Sequence, residues 1–156
     1  MKLALFFLVS SSLVLANQEN PSTPTPAPKE VTPTLAKSPV KAPDFHTEVR
    51  AVLESTCISC HGTNEQKGGL RLDTLAFAKE GGDSGPALVA GNKSESILLE
   101  RIHLPAEDEE IMPPKNGPLT AQQKDILDRW VETGAKWPNG IQLKEITERE
   151  LLLRNK

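Results

Sequence analysis

"STCISCHG", Ser55 to Gly62, contains both cysteines of the chain, Cys57 and Cys60, separated by two residues and followed at once by His61. Three chemistries use such a cluster. It can be a dithiol redox pair, half of a metal clamp, or a covalent anchor for a larger group. The sequence on either side decides among them.

Immediately upstream, Asp44 is a good helix N-cap, and Phe45, Val49, Val52 and Leu53 recur at helical spacing. The spacing predicts a short amphipathic helix ending near Ser55, so the cysteines follow a helix. Downstream, "KGGLRLDT" reads as a glycine-rich turn, with a short helix over Thr74–Lys79 and a loop in "EGGDSGP", Glu80–Pro86. Ser94 is the expected cap of a second helix, "ESILLERI". A long loop, "HLPAEDEEIMPPKNGP", leads to Thr120 and Gln123, which read as a capping box for "AQQKDILDRWVET". Ile126, Leu127, Trp130 and Val131 share one face of that helix, and Gly134 and Pro138 stop it. No strand alternation or repeat is evident, which predicts an all-α domain.

Further out, Met1–Ala16 has the layout of a secretory signal peptide: Lys2, a short apolar run and a small residue at the cleavage point. An uncleaved anchor is the alternative reading. Residues 17–43 hold seven of the 13 prolines and form an extended, coreless linker. The expected organisation is signal 1–16, linker 17–43, folded domain 44–138 and a tail 139–156 that could form one more helix. Without Lys2 the remainder carries a formal charge of −4 and has no basic tract, so nucleic acid is a poor partner. Cleavage would leave no integral membrane segment, and the expected location is periplasmic or secreted.

Tyrosine is absent, and the aromatics beyond the signal are Phe45, Phe77, Trp130 and Trp137. So small a core is commonly completed by a disulfide, a metal or a cofactor. A dithiol redox motif normally opens a helix after a strand, a context missing here. Structural zinc wants a second ligand pair, and beyond the cluster only His46 and His103 remain among the histidines and cysteines. Cys-x-x-Cys-His is the attachment site of c-type haem. There Cys57 and Cys60 bind one haem c covalently and His61 is an axial iron ligand. For the other axial position Met112, stiffened by Pro113 and Pro114, is favoured over His103. Arg71 and the indole of Trp130 or Trp137 are candidate contacts for the haem propionates.

Taken together, "CISCHG", "KGGLRLDT", "GGDSGP", "LVAGNKSES", "IMPP" and "LTAQQKDILDRWVETGAKWP" closely resemble the planctomycete-type cytochrome c domain over about Phe45–Pro138. The resemblance implies a small single-haem fold of three to five short helices, with the first helix packed across the last. It also implies Cys57 and Cys60 as covalent haem sites, His61 as proximal ligand and Met112 as distal ligand. Family members often carry this domain at the head of a longer protein. Only a short tail follows Pro138 here, so no role of such extra domains carries over. "GGDSGP" is similar to the nucleophile loop of chymotrypsin-like proteases, but a short helical domain cannot supply that fold. It is expected to be a loop whose glycines allow positive φ and close approach.

The resulting expectation is an exported electron carrier, not an enzyme, serving redox partner proteins. One alternative is a gas sensor or small peroxidase with an open sixth site. Another is a haem-free module whose cysteines bind zinc or form a disulfide. The acidic run "AEDEE", Ala106–Glu110, is either a solvated loop or a patch that steers a basic redox partner.

Overall fold

Asp44 starts the first helix as its chemistry demands. Its Oδ1 accepts hydrogen bonds from the Thr47 backbone N–H at 2.9 Å and the Thr47 hydroxyl at 2.8 Å. A wide π-helical turn over Phe45–Val49 runs straight into α1, Arg50–Thr56. Phe45, Val49, Val52 and Leu53 are all buried, so the apolar spacing faces the core. The computed structural model describes residues 40–115 and 117–154, which belong to one unit, Ala36–Lys156. The expected signal, residues 1–16, and residues 17–39 of the linker lie outside the described residues.

After α1 come a 3₁₀ turn at Lys67–Gly69, α2 at Leu75–Glu80, α3 at Ile97–His103, α4 at Ala121–Glu132 and α5 at Glu148–Arg154. Among the described residues the fold is mostly helical and has no strand, only two isolated bridges. Thr120 and Gln123 form the expected capping box of α4. Ile126, Leu127, Trp130 and Val131 are buried on its inner face. That face meets the π-helical turn and α3. Phe45, Trp130 and Trp137 form an aromatic cluster with ring centroids 4.9–6.2 Å apart. Both indoles are satisfied: Trp130 Nε1 donates to the Lys136 carbonyl and Trp137 Nε1 to that of Ile141, each at 3.0 Å.

Two expectations need correction. Ser96, not Ser94, takes the N-cap position of α3, without a side-chain capping bond, and Ser94 donates instead to Asn92 Oδ1. Asn92 Oδ1 also accepts from the Glu95 N–H, which closes a turn there and delays the helix. The folded part also continues past Pro138. Residues 139–147 are a non-helical strap whose Leu143 is 2% exposed and joins the common core.

Two buried carboxylates hold the strap. Gln142 Nε2 donates to Asp73 Oδ2 at 2.7 Å, and the Leu143 N–H donates to the Asp73 carbonyl at 2.8 Å. The Lys144 N–H reaches Glu54 Oε1 at 3.1 Å, and Arg50 Nε binds the same oxygen.

Candidate cofactor site

The end of α1 sets up the site. Its ladder continues through the Cys57 and Ile58 N–H groups, both donating to Leu53. The Cys60 and His61 N–H groups then both donate to the Cys57 carbonyl, at 3.2 and 2.9 Å. Residues 57–61 therefore stay coiled, and Cys57, Cys60 and His61 all line one cavity of about 320 Å³. Gly62 permits this turn, since a Cβ there would lie 2.5 Å from the Ile58 carbonyl oxygen.

Two glycine turns build a wall of that cavity by packing backbone on backbone. Gly82 and Gly85 exchange hydrogen bonds at 3.1 and 2.9 Å, and the Asp83 N–H donates to the Gly68 carbonyl. Gly81 has φ +85°, and a Cβ there would stand 1.9 Å from Gly85 O; one on Gly82 would stand 2.3 Å from Gly68 O. The glycines of "GGDSGP" thus serve the close approach expected of them. Gly68, Gly82 and Gly85 line the cavity. Another wall is the face of α3 formed by Ile97, Leu98, Arg101 and Ile102. Met112, Pro113, Pro114 and Leu119 come from the loop between α3 and α4.

The titratable groups suit an apolar cofactor. Burial pushes the Cys57 thiol up, outweighing its contact with the Thr56 hydroxyl. A redox or zinc-binding cysteine wants the opposite shift. Both cysteines are free thiols. Burial also holds His61 below the ordinary histidine range, although the backbone at Leu70 and Lys67 pulls weakly the other way. The ring is therefore neutral at neutral pH, the form that offers a lone pair to a metal. His61 Nδ1 is buried without a hydrogen-bond partner. The residues present fit a haem: two unbridged thiols, a neutral imidazole and apolar walls around one cavity. Among the described residues, no group of three or more His, Cys, Asp or Glu side chains is arranged to hold a metal ion directly.

Of the candidate axial residues, Met112 is half-buried, packs on the core and lines the same cavity as His61. His103 is exposed on α3 and bonds Asp128 at 3.0 Å, away from the cavity lining. His46 is exposed and stands edge-on to Phe45. Of the candidate propionate contacts, neither Arg71, Trp130 nor Trp137 is in the cavity lining. Arg71 forms a two-pronged ion pair with Asp73, at 2.9 and 2.8 Å, and stacks over the Phe77 ring at 3.7 Å. The Trp130 indole N–H is taken by Lys136. The cations that do line the cavity are Lys67 and Arg101, and Glu109 and Glu110 of the acidic run join them. Arg101 could have been found from its place four residues after Ile97 and three after Leu98, on the apolar stripe of α3.

Residues 57–116 match the family model described as planctomycete cytochrome C. Over that stretch the chain is similar to the planctomycete-type cytochrome c domain, as its motifs suggest. At the level of the family, the similarity supports a covalently bound haem and a haem-based electron-transfer role. The matched stretch includes Cys57, Cys60, His61 and Met112 and ends before α4. No curated protein and no solved structure matched the chain. Among the described residues, no helix is long and apolar enough to cross a membrane.

Proposed function

We propose that this protein is an exported, single-haem c-type cytochrome that passes one electron at a time between partner proteins and is not itself an enzyme. The observation that carries this reading is the convergence of Cys57, Cys60, His61 and Met112 on one apolar cavity. Bound there, haem supplies a one-electron iron couple.

The chain's own residues have separable tasks. Cys57 and Cys60 Sγ would form the two thioether anchors of a haem, and the coiled 57–61 segment sets their separation. His61, neutral through burial, would supply a nitrogen ligand to the iron. Met112 would supply a thioether ligand, with Pro113 and Pro114 restricting the backbone beside it. Methionine opposite histidine raises the reduction potential relative to other axial pairs. The apolar face of α3 and Leu119 would shield a haem held in this cavity from water. The signal-like Met1–Ala16 fits maturation outside the cytoplasm, in the periplasm or beyond, with residues 17–43 as an extended linker or tether.

The test is an absorption spectrum, oxidised and reduced, of protein matured in a host that exports and attaches haem. Sharp c-type bands with the weak red methionine–iron band are expected, and Met112→Ala should abolish that red band and lower the potential. Haem bands without the methionine signature in the wild type would favour an open-site sensor or peroxidase. Correctly folded protein without haem would defeat the proposal.

A further inference from the structure

The loop that brings Met112 to the cavity is long, and few bonds tie it to the rest of the fold. Within itself it is closed by local turns. The Asp108 N–H donates to the Pro105 carbonyl, Ile111 N–H to the Asp108 carbonyl, and Glu110 N–H to Asp108 Oδ1. Ile111 buries its side chain, 7% exposed. None of these bonds fixes the loop relative to α3.

Arg101 does. Its backbone carbonyl accepts the Met112 N–H at 3.1 Å, and its guanidinium forms an ion pair with Glu110, two residues before Met112. One α3 residue thus grips the loop at two points that bracket Ile111. Arg101 is itself in the cavity lining, and its side chain is 20% exposed, whereas that of Glu110 is 67% exposed. The backbone bond fixes where Met112 N sits. The side-chain bond resists rotation of the loop about that single point. Without it, Met112 would hinge on one hydrogen bond and its own packing.

We infer that Arg101 is a positioning residue for Met112, its ion pair with Glu110 latching the distal-ligand loop onto α3. This rests on the reading of Met112 as axial ligand. A half-exposed ion pair is a modest constraint, so its loss should favour an incoming ligand by a few-fold rather than expel Met112 outright.

The experiment is a titration of the oxidised, haem-loaded protein with imidazole, which competes with Met112 for the iron, followed through the red methionine–iron band. Arg101→Gln and Glu110→Gln are each expected to tighten imidazole binding by about three- to fivefold. The double variant should gain no more than either single one, because both remove the same contact. Arg101→Lys should recover part of the wild-type value. Glu107→Gln removes the same charge from the same loop without touching Arg101 and should leave the affinity unchanged. Glu110 is exposed, so its replacement tests the latch without disturbing the core. Wild-type affinity in both Arg101→Gln and Glu110→Gln overturns the latch while leaving Met112 as ligand. Equal tightening in Glu107→Gln also overturns it, in favour of a general charge effect. A wild type without the methionine band overturns the ligand reading, and the latch falls with it.

Discussion

Replacing Asp73 by asparagine keeps the shape of a fully buried side chain and removes its charge. In the native fold that carboxylate, 0% exposed, receives two hydrogen bonds from Arg71 and one at 2.7 Å from Gln142 of the strap. Breaking a buried ion pair on one side costs about 3–5 kcal/mol. Arg71 is 22% exposed and can regain some hydration, which places the expected loss near the lower end, about 3 kcal/mol. For a domain of this size that corresponds to a melting temperature lower by roughly 10–15 °C.

The pH dependence has a definite sign. Burial pushes the Asp73 carboxyl up, but the bonds from Arg71 and Gln142 outweigh it and hold the group below the usual carboxylate range. A carboxylate depressed in the folded state stabilises fully above its unfolded pKa, about 3.9. That contribution is lost as pH falls through the lower folded value. Guanidinium unfolding of haem-loaded wild type and Asp73→Asn, followed by circular dichroism, should show a constant stability gap from about pH 5 to 8 that narrows below about pH 4. A gap under about 1 kcal/mol at neutral pH, or one that persists unchanged on acidification, would refute the reasoning.

Gly81→Ala forces a Cβ to within 1.9 Å of Gly85 O and should cost at least about 3 kcal/mol in chemical denaturation. Gly91→Ala, at φ +78° with nothing within 4 Å, should cost only about 1–2 kcal/mol. Cys57→Ser leaves Cys60 as the only thioether anchor. Covalently retained haem, read by haem staining on denaturing gels, should drop sharply and vanish in the Cys57→Ser, Cys60→Ser double variant. If the acidic run steers a basic partner, stopped-flow electron-transfer rates should fall about tenfold between roughly 20 and 200 mM salt. A flat salt response removes that role from Glu107–Glu110.

Local signals in the sequence were legible where the physics is local. The Asp44 cap, the Phe45–Leu53 spacing and the Thr120–Gln123 box need only neighbours a few residues away. The cysteine–histidine cluster is equally local, since one turn of chain brings its three side chains to one cavity. The errors had different causes, and only at the strap do partners distant along the chain decide. Ser96 outranks Ser94 because its hydroxyl is buried against Val89 and Asn92. Leu143 shows no helical periodicity, and its neighbours Asp73 and Glu54 lie far upstream in the chain. Arg71 in "LRLD" reads from the sequence as a candidate contact for a haem propionate. Asp73, two residues on, engages it, a pairing that "RLD" itself could have suggested.

The strap at residues 139–147 also bears on how such a chain matures. A polypeptide exported N-terminus first presents "CISCH" long before Leu143 and the Gln142–Asp73 bond are available to complete the core. Contacts between residues so far apart along the chain form late and slowly. If the chain is exported as proposed, its two thiols would be offered to haem attachment while the surrounding fold is still unfinished. Docking of Leu143 and of Gln142 on Asp73 would then close the core around the loaded site.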